Sequence, residues 1–593
     1  VFLFRYPTRP LGWVGKVLWC IALSLVAALL LTVSPPTRAD DAEALKTESP
    51  YFLVQGGDPG TDRLPLKSTS VDVRIAGVIA DVTVTQHYRN EGQRPIEARY
   101  VFPGSTQAAV HALTVRLGGR VLTAGIREKQ QARIEYDGAK RQGKTAALLE
   151  QQRPNVFEMN VANILPGDDV AVELRYTELL TPSDAQYGFV FPTVVGPRYN
   201  SPQGAARGER WVSTPYLREG VPPASAFQLQ VILDTPLPVK DIASPSHPIE
   251  VEGLGLTQAR VTLAAAPVKP YHDRDFILHY RLAGERIESG LMLYRGTEEN
   301  FFLAMVEPPQ AVPVQQISPR EYIFVVDVSG SMHGFPLETA KVLLEHLIGG
   351  LRPSDSFNVM LFSGGSRMLA PQSVPATMAN INQALHVLRE TTGGGSTEIV
   401  PALKRIAALP KTPDVSRTVI VVTDGFVAVE SEVFQLVRRQ LGQSNLFAFG
   451  IGSSVNRHLI EGMARAGQGE AFVVTRPELA AAQAERLRRM IESPVLTRVT
   501  ARFEGMDTYD VEPQTLPDVL GGRPVVVFGK WRGDGLLPKD ARLVVEGLTP
   551  QGPWRSEVAA DAAERPAAAA LRHLWARRRI ETLSDQEALE GGQ

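Results

Sequence analysis

A carboxylate and two hydroxyls stand at alternate positions in Asp327-Val328-Ser329-Gly330-Ser331, directly after the apolar run Tyr322-Ile323-Phe324-Val325-Val326. A buried strand ending there turns its oxygen-bearing side chains into one crevice. Downstream, Thr397 supplies another hydroxyl and Asp424 another carboxylate, each at the end or edge of its own expected element. Together they make an all-oxygen cage suited to a hard divalent cation. Mg²⁺ wants near-octahedral oxygen at about 2.1 Å and holds water, so it needs few protein carboxylates. Mn²⁺ suits the same donors, and Ca²⁺ is accepted where more acids gather. A cage left one ligand short recruits a carboxylate from a partner protein. The constellation therefore reads as a binder and not a catalyst.

Other chemistries fit less well. Gly393-Gly394-Gly395 lacks the lysine and the strand-before, helix-after setting of a phosphate-cradling loop. An aspartyl phosphotransfer site generally has a second acid two residues on, where Ser329 stands. Neither G-x-S-x-G nor H-E-x-x-H occurs, and the 10 histidines are scattered, His333 being expected on a solvent-facing loop.

The cage needs a scaffold, and the rhythm from residue 321 onward supplies one. Near-continuous apolar strands at 322–326, 357–362, 418–423, 446–449 and 471–474 alternate with helical stretches at 336–348, 378–388, 400–409, 433–441, 458–466 and 479–491. This is the signature of a doubly wound parallel sheet covered on both faces, with sites at the carboxyl ends of its strands. Before it, period-two alternation such as Val71-x-Val73-x-Ile75 and Val170-x-Val172-x-Leu174-x-Tyr176 predicts half-buried strands in a β-sandwich-like module. A surface helix is expected at 127–141. Short strands continue to about 315, return from 497 to 545, and an Ala-rich helix at 566–583 closes the chain.

At 593 residues the chain is too long for one core. It is 44% hydrophobic and 21% charged, an ordinary globular composition, and its net charge of −2 gives no basic field for nucleic acid. The expected organisation is a targeting segment at 1–39, a β domain at 45–181, a β-rich extension at 182–315, an α/β domain at 316–494, a β-rich segment at 495–560 and a helical segment at 561–593. In the first of these, Arg5, Arg9 and Lys16 precede an uncharged apolar stretch and then Thr37-Arg38-Ala39. That order favours cleaved export over a retained membrane anchor, and places the protein in the periplasm, cell envelope or medium. The single cysteine, Cys20, lies inside the apolar stretch, so the exported remainder has no disulfide.

The three loops Asp327-Val328-Ser329-Gly330-Ser331-Met332, Gly393-Gly394-Gly395-Ser396-Thr397-Glu398 and Thr423-Asp424-Gly425 resemble those of the von Willebrand factor type A fold. The resemblance implies that Asp327, Ser329, Ser331, Thr397 and Asp424 form a metal-ion-dependent adhesion site holding Mg²⁺, Mn²⁺ or Ca²⁺. The family usually has Gly-Gly-Thr in the second loop, whereas Ser396 precedes Thr397 here. The β half resembles the VIT domain of inter-alpha-trypsin inhibitor heavy chains and of related bacterial envelope proteins. It does so through Gln86-His87-Tyr88-Arg89-Asn90, Glu97-Ala98-Arg99-Tyr100-Val101-Phe102-Pro103, Arg127-Glu128-Lys129 with Ala132 and Tyr136, and Asn163-Ile164-Leu165-Pro166-Gly167-Asp168. These VIT residues are read as structural, shaping a sandwich core and its turns.

The expected function is that of an exported bacterial envelope protein, not an enzyme, that grips an acidic residue of a protein or matrix partner through the metal. An envelope scaffold with a purely structural metal is the alternative, and a metal-assisted hydrolase stands further back. Two short motifs are given bland readings. Arg532-Gly533-Asp534 is read as a hairpin turn, and Arg577-Arg578-Arg579 as the solvated face of an amphipathic helix.

Overall fold

The structure, a computed structural model, describes residues 51–54, 64–103, 108–123, 147–153, 156–182, 185–192, 226–264, 275–282, 284–310, 317, 320–411, 415–425, 430–441, 444–452, 455–533 and 537–590. The expected targeting segment at 1–39, the helix at 127–141 and Asp534 lie outside them.

Alternating burial builds the first part. Val71, Val73 and Ile75 point inward from the strand Leu66–Ala76, as do Val82 and Val84 from Ile79–Arg89 and Val170, Val172 and Leu174 from Asp169–Leu179. These strands sit in an eight-stranded sheet whose order runs Ile249–Gly253, Gln258–Leu263, Ala226–Asp234, Leu66–Ala76, Ile79–Arg89, Asp169–Leu179, Ala108–Leu117, Arg120–Thr123. Every pairing is antiparallel except Ala226–Asp234 with Leu66–Ala76. A four-stranded sheet, Tyr51–Val54, Ile96–Pro103, Val156–Ile164 and Ala147–Arg153, contributes Ile96, Ala98, Tyr100, Met159 and Val161 to the same core. The strands Ala226–Asp234, Gln258–Leu263 and Ile249–Gly253 thus extend the first sheet, while Phe276–Arg281 pairs with both Tyr187–Phe191 and Lys240–Ala243 in a separate three-stranded sheet; edge pairing across such distances leaves no local mark in the sequence.

The VIT-like residues serve the sandwich. Gln86 Oε1 accepts hydrogen bonds from the buried Tyr88 and Tyr100 hydroxyls, both at 2.9 Å. The Asn90 side chain donates to the Ile164 carbonyl at 3.0 Å and ties the two sheets at their edge. Burial raises both tyrosine hydroxyls above their ordinary range.

The second part is the predicted parallel sheet. Its strands are β1 (Arg320–Asp327), β2 (Ser356–Phe362), β3 (Ser416–Thr423), β4 (Asn445–Ile451) and β5 (Ala471–Val474), in the spatial order β2-β1-β3-β4-β5 with Ser366–Met368 antiparallel at the β2 edge. All residues of β1, β3 and β4 are buried, as continuous apolar strands require when helices cover both faces. One face carries α1 (Phe335–Gly349), α2 (Met378–Glu390) and α6 (Ala480–Ile491). The other carries α3 (Ile399–Ala407), α4 (Glu430–Gln440) and α5 (Arg457–Ala466). Two buried ion pairs close the amino ends of the strands: Arg320 with Asp355 at 2.6 Å and Arg417 with Glu321 at 2.7 Å.

Segments on either side of this domain meet in one sheet. Asn300–Glu307 pairs with both Glu288–Arg295 and Val525–Arg532, although more than 200 residues separate the two latter strands. A second small sheet, Val519–Leu520, Pro494–Glu504, Arg542–Thr549 and Gly552–Ala559, shares its core. Helix α7 (Ala570–Glu590) buries Leu571 and Leu574 in the N-terminal core. Trp575 lies under the Lys530 ammonium, 3.7 Å from the ring centroid. The basic cluster on α7 differs from its solvated reading: Arg577 and Arg578 are half-buried, and Arg578 and Arg579 face a cavity between domains.

Candidate metal centre

β1 delivers Asp327 to the carboxyl rim of the sheet, where the carboxylate is wholly buried. Its Oδ1 accepts the Ser329 backbone N–H at 2.9 Å, and its Oδ2 accepts the Thr423 hydroxyl at 2.6 Å. Thr423 is the last residue of the adjacent β3, and its Oγ1 in turn accepts the Gly425 N–H at 3.0 Å. Asp327 is therefore a keystone between two strand ends, with each oxygen already holding one donor and a lone pair left over.

The hydroxyls come from a short 3₁₀ turn, Gly330–Met332, that follows β1. Ser329 Oγ and Ser331 Oγ stand 3.2 Å apart. Two neighbouring oxygens on an octahedral Mg²⁺ are separated by about 3 Å, and on Ca²⁺ by slightly more, so the serine pair fits either ion. The glycine loop is docked onto this turn by two backbone bonds, Gly394 N–H to the Val328 carbonyl at 2.8 Å and Gly330 N–H to the Gly395 carbonyl at 2.9 Å. Gly393 permits the approach, since a Cβ there would lie 3.2 Å from the Ser329 carbonyl oxygen, and Gly395 adopts φ +90°. Thr397 follows on the same loop, half-buried, two residues before α3 begins. Asp424 sits one residue beyond β3, its carbonyl accepting the Asn456 N–H at 3.3 Å.

Exposure grades outward through the set. Asp327 is 0% exposed, Ser329 1% and Asp424 8%, while Thr397 is half-buried and Ser331 exposed. The cup has a charged floor and a hydroxyl mouth open to solvent. Burial pushes the Asp327 carboxyl above its ordinary range; hydrogen bonds from Ser329 and Thr423 oppose this, and the charge of Asp424 adds to it. A cation near Asp327 would offset the unfavourable charge that Asp424 adds there. The serine pair beside the Asp327 carboxylate offers the oxygen donors a divalent ion takes, with Thr397 and Asp424 on the neighbouring loops. Among the described residues, this rim included, no group of three or more His, Cys, Asp or Glu comes together, so the candidate centre depends on hydroxyl donors.

Of the five residues named from the sequence, Asp327, Ser329 and Ser331 are joined by hydrogen bonds at the end of β1, while Thr397 and Asp424 lie on the two neighbouring loops. Thr423 was missed. Its signal was faint, a lone hydroxyl at the end of the β-branched run Val419-Ile420-Val421-Val422, and hydroxyls there are common in strands. His333 is exposed, as expected.

A β-sandwich followed by a doubly wound domain with this rim is the architecture of chains that join a VIT domain to a type A domain. Residues 66–176 match the Vault protein inter-alpha-trypsin domain, and residues 320–472 match the von Willebrand factor type A domain. Type A domains commonly hold a divalent metal at such a rim.

The chain is homologous to von Willebrand factor A domain-containing protein 5A of Homo sapiens, 31% identical over 496 residues, covering 80% of this chain and 62% of that protein. Protein mono-ADP-ribosyltransferase PARP4 of Mus musculus is 25% identical over 476 residues, 79% of this chain and 24% of its own length. Inter-alpha-trypsin inhibitor heavy chain H3 of Bos taurus is 25% identical over 486 residues, 79% of this chain and 52% of its own length. The chain spans less than two thirds of each of these relatives.

Proposed function

We propose that the type A rim is a metal-ion-dependent adhesion site, and that the protein binds other proteins or matrix by presenting a divalent cation to a partner's carboxylate. Ser329, Ser331, Thr397 and Asp424 would hold the ion, and Asp327 would fix the floor beneath them. A bound ion would supply an electrophilic position for an acidic side chain; the exposed Ser331 mouth leaves room for one. The observation that carries this reading is the serine pair at 3.2 Å above the doubly hydrogen-bonded Asp327. Mg²⁺ and Mn²⁺ suit the sparse charge best. The reading is of a binding protein, with no catalytic role assigned to the rim. The basic-apolar-small order of residues 1–39 supports export to the cell envelope.

The test is a thermal-shift titration of the purified chain with Mg²⁺, Mn²⁺, Ca²⁺ and EDTA, followed by capture of envelope proteins with and without the preferred ion. Stabilisation by a divalent ion and chelator-sensitive capture are expected. Capture that EDTA leaves unchanged contradicts the mechanism. A metal that raises the melting temperature while capture never depends on it favours the scaffold instead.

A further inference from the structure

On the pole opposite the cation rim lies a cavity of about 470 Å³. One of its lining residues, Asp518, accepts hydrogen bonds from Ser416 at 2.6 Å and Asn445 at 3.4 Å. These are the first residues of β3 and β4, so the cavity faces the amino ends of the strands. Its walls come from four parts of the chain: the N-terminal sandwich, the type A helices, the segment 512–528 and helix α7.

The charge inside is unbalanced. Arg438 of α4, Arg465 of α5, Arg523, and Arg578 and Arg579 of α7 all line it, against the acids Glu512 and Asp518. Asp518 is already engaged by Ser416 and Asn445. Arg523 donates through Nη2 to the Gln468 and Gly469 carbonyls at 2.7 and 3.0 Å. Its Nη1 is shielded from water and has no hydrogen-bond partner, and the same holds for Gln468 Oε1. Burial lowers the Arg523 guanidinium from its ordinary value; Glu470 opposes this, and Arg578 adds to it. Five guanidinium groups against two carboxylates make the cavity electropositive, which favours an anion there. The opposite wall is apolar, with Val78, Leu179, Phe528 and Leu574. An apolar wall facing a few convergent polar groups, in a volume within the range of about 300–1,000 Å³, is the form of a small-molecule site.

We propose that this cavity binds a small organic anion, with a phosphate or carboxylate head at Arg523 and the helix arginines and an apolar or aromatic body on Val78, Leu179, Phe528 and Leu574. Such a ligand touches the sandwich, the type A domain and α7 at once, and so fastens them together. The site is independent of the cation rim.

The proposal is tested by isothermal titration of the full chain with 1-naphthyl phosphate, 1-naphthoate and the neutral 1-naphthalenemethanol, in parallel with Arg523→Met, Arg578→Gln and Asp327→Ala. At least one anion binds one-to-one with Kd below about 1 mM, and the neutral alcohol does not. The phosphate and carboxylate arms show which head the arginines prefer. Arg523→Met and Arg578→Gln each weaken binding about 10-fold or more, and Asp327→Ala binds as the unaltered chain does. Because Arg523 also holds two backbone carbonyls, circular dichroism melts confirm that each variant folds, and Arg578→Gln carries the test if Arg523→Met does not. Failure of both anions to bind, or binding undiminished in the folded arginine variants, overturns it.

Discussion

Thr423 Oγ1 donates to Asp327 Oδ2 at 2.6 Å and joins the ends of two parallel strands across 96 positions of sequence. Removing the hydroxyl while keeping the β-branched shape, as in Thr423→Val, leaves a buried carboxylate oxygen short of a donor. The expected cost is about 1–3 kcal/mol, read by urea denaturation without divalent ions. Saturating Mg²⁺ should recover part of it, since the ion offsets the charge that Thr423 no longer stabilises.

The amino ends of the same strands test fold and site separately. Arg417 and Glu321 are both buried and paired at 2.7 Å. Glu321→Ala strands the guanidinium, with an expected loss of about 3–5 kcal/mol. Mg²⁺ affinity of the folded fraction should stay within about 2-fold, because the pair lies at the far end of β1 from Asp327.

A pH dependence is built in far from the rim. Glu307 is wholly buried and accepts the Tyr187 hydroxyl at 3.0 Å. Burial pushes its carboxyl up to about 7; the Tyr187 hydrogen bond opposes the shift and nearby Glu288 adds to it. The folded chain therefore keeps a proton that the unfolded chain releases near pH 4.5. Stability credited to this proton is complete below that value and falls as pH rises toward about 7. The loss amounts to about 3 kcal/mol at most. Glu307→Gln should flatten this slope in denaturation midpoints measured from pH 5 to 8.

Helix α7 is clasped at Trp575. Trp575 lies beneath Lys530, and its Nε1 donates to the Asp510 carbonyl at 3.1 Å. Trp575→Ala should cost about 2 kcal/mol or more and expose α7 to limited proteolysis before the rest of the chain unfolds.

How legible this was differs by region. The type A strands and helices could be read to within a few residues, and Ala471–Val474 to the residue, because burial on both faces writes an unbroken apolar run into each strand. The hydrogen-bonded turn of Asp327, Ser329 and Ser331 was legible because it is a short motif at a strand end. The pairing of Asn300–Glu307 with Val525–Arg532, and of Ala226–Asp234 with Leu66–Ala76, was not, since period two shows which face is buried and not which strand lies beside it. The role of Arg578 was hidden for a similar reason. A basic residue opposite an apolar stripe looks solvated until another domain covers it.

The central claim is that the hydroxyl mouth of the rim holds a divalent cation over a fixed Asp327 floor. Calorimetric titration of Mg²⁺ and Mn²⁺ into the full chain and into Ser331→Ala tests it most directly. Ser331 is exposed, so its loss should leave the metal-free melting temperature unchanged while weakening ion binding about 10-fold or more. Equal affinity in the two proteins, or no binding to the unaltered chain at millimolar ion, would contradict the account.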